Sequence, residues 1–169
     1  MHRLILMRHA KAERDAPSGR DRDRPLSDRG RADAVLMGRA LAERGLRPDH
    51  ALVSAAVRTR QTWDGLHDAF GDVEVRVEDP LYNASPDTLR RFVEASEDEA
   101  GCLIVIAHNP GVHMLAVEYL IESAASPSVL DRMAGGFPTG AAAIFTVDAA
   151  GRCAYEGFLT PKAVGGGAE

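Results

Sequence analysis

Two histidines stand directly after apolar segments, and their surroundings suit a phosphate group. Residues 4–7 (Leu-Ile-Leu-Met) are followed by Arg8 and His9, and residues 103–107 (Leu-Ile-Val-Ile-Ala) are followed by His108. A neutral imidazole can attack phosphorus as a nucleophile. A guanidinium is permanently charged and offers a planar fork of donors that matches phosphate oxygens. If the two segments lie side by side, these three side chains would together suit a dianionic phosphate.

The two segments have the character of buried parallel strands. Short, wholly apolar runs bounded by polar or turn residues are typical of strands that are covered on both faces. In an open α/β sheet, ligands bind at the carboxyl ends of such strands, which is where His9 and His108 stand. A single histidine at a strand end is usually structural. The adjacent arginine and the motifs described below favour the catalytic interpretation.

Hydrophobic periodicity and helix-capping signals predict the other elements. Strands are predicted at about 3–8, 50–53, 73–77, 103–107, 141–147 and 153–159, and helices at about 28–44, 56–70, 86–95 and 110–121. Ser27 is expected to cap the first helix and Gly45 to end it. Asn109 is expected to cap the last helix, with Pro110 at its first position. Residues 122–140 are expected to form a long loop.

The alternation of strands and helices predicts the fold class. Val73, Val75 and Val77 alternate with polar residues, which indicates a strand with one exposed face. The whole pattern predicts an α/β protein with one doubly wound, mostly parallel sheet, helices on both faces and an antiparallel strand late in the chain. Residues 1–160 are expected to form a single domain, and residues 161–169 a flexible carboxyl-terminal tail.

Composition favours an ordinary globular protein. Apolar residues make up 45 % of the chain and charged residues 27 %. The first residues lack the pattern of a signal peptide and no apolar stretch approaches membrane-spanning length, which predicts a cytoplasmic protein without a membrane partner. Cys102 and Cys153 both fall in predicted strands and are interpreted as buried thiols.

The net charge of −5 is unevenly distributed along the chain. Residues 1–60 hold 14 Lys and Arg side chains against 8 Asp and Glu, whereas the remaining residues hold 6 against 17. The basic half contains Arg8 and Arg58 and would steer an anionic group inward. Solvated surface arginines explain the same count equally well. The acidic overall balance and the lack of interleaved aromatic and basic residues argue against nucleic acid as a partner.

Three motifs in register with the predicted strands resemble those of a known family. The chain is similar to the histidine phosphatase (phosphoglycerate mutase-like) superfamily over residues 7–13 (Met-Arg-His-Ala-Lys-Ala-Glu), 54–62 (Ser-Ala-Ala-Val-Arg-Thr-Arg-Gln-Thr) and 107–110 (Ala-His-Asn-Pro). Within it, the short length and residues 24–30 and 81–85 resemble the SixA-type phosphohistidine phosphatases. The resemblance extends over roughly residues 3 to 160. It implies an enzyme that needs neither a metal ion nor another cofactor.

The resemblance, together with the chemistry of the residues, predicts a role for each member of the site. His9 is expected to be the nucleophile that accepts the phosphoryl group. Arg8, Arg58 and His108 are expected to bind the phosphate oxygens and stabilise the transferred group. Arg58 falls in the first turn of its predicted helix, where free backbone N–H groups also favour an anion. Arg60 lies on a different face of that helix and is interpreted as a surface residue.

The general acid is where the sequence departs from the pattern of the superfamily. Many members of the superfamily carry a glutamate shortly after the third strand that protonates the leaving group. Here residues 81–86 contain only Tyr82, Asn83 and Ser85 as polar side chains. Asp21 and Asp23, on the loop before Arg24, are the candidate acids, although solvated loop carboxylates are an equally good interpretation. A strong acid matters little for phosphohistidine, because its P–N bond is labile.

Three functions are therefore compatible with the sequence. The first is a phosphohistidine phosphatase that acts on signalling or phosphotransfer proteins through a covalent phosphohistidine intermediate. The second is a broad-specificity phosphomonoesterase for small phosphate esters. The third is a module that recognises phosphate without turnover, which the presence of all four site residues disfavours. The partner protein and the oligomeric state are left open.

Overall fold

One mixed sheet forms the centre of the molecule. The computed structural model describes residues 1–167. Six strands are present in this part of the chain: β1 (Arg3–Arg8), β2 (His50–Ser54), β3 (Glu74–Glu78), β4 (Cys102–Ala107), β5 (Ala142–Val147) and β6 (Cys153–Leu159). Their order across the sheet is β3-β2-β4-β1-β5-β6. The first four strands run parallel, whereas β5 is antiparallel to both β1 and β6. The predicted α/β architecture is confirmed.

Helices cover both faces of the sheet. They are α1 (Asp28–Glu43), α2 (Val57–His67), α3 (Pro86–Ala95), α4 (Gly111–Glu122) and α5 (Pro127–Ala134). Because side chains alternate along a strand, β1 contributes to two cores. Ile5 and Met7 pack with residues of α1 and α2, whereas Leu4 and Leu6 pack with residues of α3, α4 and α5. The apolar strand residues are thereby removed from water on both sides, which is the main source of stability for such a sheet.

The prediction of a continuous loop over residues 122–140 is wrong, because α5 lies within it. Ser126 caps this helix by accepting a hydrogen bond from the amide of Val129, and Pro127 occupies the first turn. Pro is favoured there because its missing N–H is not needed. Met133 anchors the helix in the core. The cap and the apolar spacing were present in the sequence, but Ser-Pro is also a common loop dipeptide.

The predicted cap of α4 is also wrong. The helix begins at Gly111, its cap is Pro110, and the peptide bond between Asn109 and Pro110 is cis. The side-chain amide of Asn109 instead donates to the carbonyl of Phe137, at 2.9 Å. Asn109 therefore ties the end of β4 to the segment that leads into β5, a contact between distant parts of the chain that local capping rules do not reveal.

The exposure of β3 differs from the prediction, and the flexibility of the tail remains a prediction. Strand β3 lies at the sheet edge, and Val75 and Val77 are 38 % and 51 % exposed, so its valine face is not buried as the alternation suggested. In the predicted tail, residues 162–164 form a short 3₁₀ helix, and the amide of Gly167 donates to Asp33 of α1 at 2.9 Å. Residues 168 and 169 lie outside the described residues, and flexibility of the tail stays a prediction.

Candidate active site

The two histidines stand next to each other at the carboxyl edge of the sheet. Strands β1 and β4 are parallel neighbours, and their register pairs Arg8 with Ala107. His9 and His108 each follow directly, and their ring centroids are 5.4 Å apart. Both are buried, with 7 % and 3 % of their surface exposed. The predicted juxtaposition is thus present, and it depends only on strand pairing.

One hydrogen bond fixes the form of His9. Its Nδ1 lies 2.7 Å from the carbonyl oxygen of Ala10. A carbonyl can only accept, so Nδ1 carries the proton of the neutral ring and Nε2 keeps its lone pair. The pKa of His9 is lowered to about 4, mainly by burial and in part by the charges of Arg58 and Arg8, against the opposing effect of the hydrogen bond to Ala10. At neutral pH His9 is therefore uncharged, as a nucleophile must be.

His108 is also neutral. Burial is the main reason that its pKa falls to about 3, and the charge of Arg58 is the next largest cause. Its Nε2 lies 2.7 Å from the hydroxyl of Ser54, the last residue of β2. Its Nδ1 is buried and has no hydrogen-bond partner among residues 1–167. That nitrogen is the part of the ring left for a ligand.

Both predicted arginines lie in the site, and each retains a donor that has no partner within residues 1–167. Arg8 donates through a terminal nitrogen to the carbonyl of Phe137, at 3.1 Å. Arg58 lies in the first turn of α2, is 3 % exposed, and donates to the backbone oxygen and the carboxylate of Asp21 at 2.9 and 3.1 Å. The Nε atoms of both are buried without a partner in the described chain. Unsatisfied buried donors are costly, and an anion would satisfy them.

Hydrogen bonds and nearby arginines favour the ionised form of Asp21 and Asp23. Asp21 accepts hydrogen bonds from Tyr82 at 2.6 Å, from Arg58 and from Arg24. The Tyr82 hydrogen bond is the largest of the effects that lower the pKa of Asp21 to about 2. The Asp23 carboxylate binds Ser18, which likewise lowers its pKa. Both are ionised at neutral pH, so neither holds a proton to donate, and their role as acid stays an untested prediction.

Three groups that were given no role from the sequence also take part in the site. The Tyr82 ring meets the His108 ring edge-on at 5.5 Å, and the guanidinium of Arg58 lies 5.9 Å from its centre. Ser54 contacts His108, and the Phe137 carbonyl holds both Arg8 and Asn109. Ser54 and Tyr82 stood inside the motif segments and could have been singled out. A backbone carbonyl leaves no signal in a sequence.

Arg60 is exposed on α2, as predicted. Within the described chain, no three His, Cys, Asp or Glu side chains are grouped so that they could hold a metal ion. None of the helices in residues 1–167 is long and apolar enough to cross a membrane.

Comparison with known proteins identifies the class to which this site belongs. The model of the histidine phosphatase superfamily (branch 1) matches residues 4–119, a span that includes all four predicted site residues. The chain belongs to this superfamily, and it is a phosphatase.

Relatives and solved structures narrow the assignment to the SixA type. An uncharacterised protein of Mycobacterium tuberculosis is 34 % identical over 142 residues, which cover 83 % of this chain and 87 % of the relative. SixA of Agrobacterium tumefaciens has a crystal structure that superposes with a TM-score of 0.82 at 31 % identity, over 95 % of this chain and 99 % of the other. A SixA structure from Nakamurella multipartitia gives 0.80 at 29 % identity, over 95 % and 96 %. The chain is a SixA-type member of the superfamily.

The low pKa of His9 predicts a specific dependence of stability on pH. The unfolded chain binds a proton at this ring near pH 6.5, whereas the folded protein binds it only near pH 4. Between these values the unfolded state holds more protons, so the free energy of unfolding falls as the pH is lowered. In urea denaturation, His9→Gln should reduce this slope by about 1 kcal/mol per pH unit between about pH 5 and 6. Equal slopes in the two proteins would contradict the low pKa.

Proposed function

We propose that this phosphatase removes the phosphoryl group from phosphohistidine on a signalling or phosphotransfer protein, through a phosphohistidine intermediate on His9. The observation that carries the proposal is the combination of a neutral His9, whose Nε2 keeps its lone pair, with three buried nitrogens that have no partner within residues 1–167, namely Nε of Arg8, Nε of Arg58 and Nδ1 of His108. These groups would supply a nucleophile and charge stabilisation, while the two candidate acids, Asp21 and Asp23, favour their ionised form. The cytoplasm is the proposed location of enzyme and substrate.

The first step transfers the phosphoryl group to the enzyme. Nε2 of His9 forms a bond to phosphorus while the bond from phosphorus to the substrate imidazole breaks. If the other ring nitrogen of the substrate already carries a proton, the departing imidazole leaves neutral and needs no further proton from the enzyme. Dividing one displacement into two steps of this kind is the usual advantage of covalent catalysis.

The second step returns His9 to its starting state. A water molecule attacks phosphorus, the bond to Nε2 breaks, and inorganic phosphate leaves with the oxygen of that water. In both steps the equatorial oxygens carry the developing charge, and the proposed task of Arg8, Arg58 and His108 is to stabilise it. Phosphoryl transfer depends mostly on such positioning and electrostatics, so the reaction as proposed requires no metal ion.

The choice of phosphohistidine over a phosphate ester follows from proton supply. An alkoxide is a poor leaving group unless an acid protonates it, whereas the ionised state of Asp21 leaves it without a proton to give. The phenol of Tyr82 is itself engaged as a donor to Asp21. The fold is shared with a structure described as the protein histidine phosphatase SixA in complex with tungstate, which is 22 % identical with a TM-score of 0.77. This likeness in fold is compatible with the proposed substrate.

The covalent step predicts an intermediate that can be isolated. Rapid quenching of a reaction with labelled phosphohistidine protein should yield a phosphorylated enzyme whose label is lost in acid and kept in base, as expected for a P–N bond. His9→Ala should give neither the labelled enzyme nor turnover, while circular dichroism shows an intact fold. Turnover by this variant at more than a few per cent of the wild-type rate would exclude His9 as the nucleophile. Phosphate binding by the wild type without turnover would indicate a recognition module instead.

The proposed stabilising role of Arg58 can be tested against a matched control on the same helix. Arg58→Ala should lower kcat/KM by roughly 10²-fold, the usual effect of losing one donor to the transition state. Arg60→Ala removes an exposed guanidinium two residues away and should change kcat/KM little. Steady-state kinetics with phosphohistidine protein provides the comparison. Equal effects of the two substitutions would show that only the general positive charge of this region matters.

If Asp21 and Asp23 stay ionised, the rate should depend steeply on the leaving group. Phosphohistidine and p-nitrophenyl phosphate should be hydrolysed, whereas alkyl esters such as 3-phosphoglycerate should react slower by ~10²–10⁴-fold, the usual value of acid catalysis. The test is to measure kcat/KM for each of the three substrates at substrate concentrations well below KM. Equal rates for phosphoglycerate and phosphohistidine would favour the broad-specificity phosphomonoesterase. In that case Asp21→Asn and Asp23→Asn would show which carboxyl, if either, acts as the acid.

A further inference from the structure

Ser54 contacts His108, one of the proposed phosphate-binding residues. Ser54 ends β2, next to β4 in the sheet, and it is completely buried. Its hydroxyl oxygen lies 2.7 Å from Nε2 of His108, which is itself 3 % exposed. Water is thereby excluded from this pair, and a hydrogen bond in such surroundings has a strong influence on which tautomer of the ring is present.

The neighbours of the hydroxyl determine the direction of this hydrogen bond. Within hydrogen-bonding distance of the Ser54 oxygen, the described residues place the Nε2 of His108 and the backbone amide of Ala56, at 3.5 Å. An amide N–H can only donate. The hydroxyl proton therefore has one acceptor, Nε2. If Nε2 carried a proton instead, it would donate to the hydroxyl oxygen, and the buried hydroxyl proton would lack an acceptor among the described residues, which is costly.

We propose that Ser54 is a positioning residue that donates to Nε2 of His108 and so holds the proton of the neutral ring on Nδ1. That nitrogen is buried and has no partner within residues 1–167. In this tautomer it is an uncharged N–H donor for a phosphoryl oxygen. In the other tautomer it would present a lone pair, which would repel the same oxygen. The effect on catalysis rests on the proposed function, but the tautomer itself does not.

The two histidines would then have complementary tasks in the same tautomeric form. His9 carries its proton on Nδ1 because of the Ala10 carbonyl, which leaves Nε2 as a nucleophile. His108 carries its proton on Nδ1 because of Ser54, which makes Nδ1 a donor. A neutral donor has an advantage here, because Arg8 and Arg58 already place two positive charges in the site and a third would be opposed by both.

Nitrogen NMR of histidine-labelled protein tests the tautomer directly. In the wild type, Nδ1 of His108 should show the pyrrole-type shift of a protonated nitrogen and Nε2 the pyridine-type shift, with the signals assigned by their loss in His108→Gln. Ser54→Ala should move both shifts towards the average of two exchanging tautomers. Ser54→Thr retains a hydroxyl and should restore the wild-type pattern. Ser96→Ala removes another buried hydroxyl, which donates to the carbonyl of Phe92, and should leave the His108 signals unchanged.

The effect of Ser54 on catalysis is tested by steady-state kinetics with phosphohistidine protein. Ser54→Ala should lower kcat/KM about tenfold, the scale of one buried hydrogen bond, and Ser54→Thr should recover most of that loss. A protonated Nε2 in the wild type, or unchanged His108 shifts in Ser54→Ala, would overturn the proposal. The wild-type spectrum decides the tautomer even if a variant fails to fold. The expected spectra in a protein that does not hydrolyse phosphohistidine would contradict the proposed function and leave the assignment of Ser54 intact.

Discussion

The parallel pairing of β1 with β4 is the constraint on which the rest of the site depends. It aligns the ends of two fully apolar strands, so that the residues that follow, His9 and His108, come together without any further device. Both rings are also buried. Burial penalises the charged imidazolium and, with the charges of Arg8 and Arg58, keeps both histidines neutral. The sheet therefore determines how close the imidazoles lie, and their buried position is the main cause of their protonation state.

Asp21 balances part of the positive charge in the site. Arg58 directs part of its guanidinium to Asp21, whose carboxylate also binds Tyr82 and Arg24. This outer network holds the arginine in one orientation and offsets part of its charge in the absence of a ligand. The Nε atoms of Arg8 and Arg58 receive no such partner from the described residues. Asp21 thus binds a terminal nitrogen of Arg58, while the Nε atoms of the two arginines are left for a ligand. Charged donors of this kind favour phosphate over a neutral ligand.

What could be predicted from the sequence was whatever depends on local patterns. Apolar runs marked the central strands, Ser27 marked the start of α1, and the strand ends placed the two histidines. The missed helix α5 had its cap and apolar spacing in the sequence, whereas the other failures depend on how distant segments are arranged. Asn109 donates to the carbonyl of Phe137 rather than capping α4, and Val75 and Val77 are exposed on a strand that lies at the edge of the sheet. The Phe137 carbonyl that holds Arg8 is a backbone atom, which any residue would supply, so neither composition nor spacing could indicate it.

The protonation states of the site together limit the chemistry that it can perform. Arginines do not release protons near neutral pH. His9 and His108 are neutral imidazoles, and Asp21 is an anion. The hydrogen bond to Asp21 raises the pKa of Tyr82, so its phenol keeps its proton. The site is therefore rich in hydrogen-bond donors but has, among these groups, none that gives up a proton readily. A substrate suited to it must carry the proton that its own leaving group needs, and an imidazole bonded to phosphorus can do so through its second nitrogen, whereas an alkyl ester cannot.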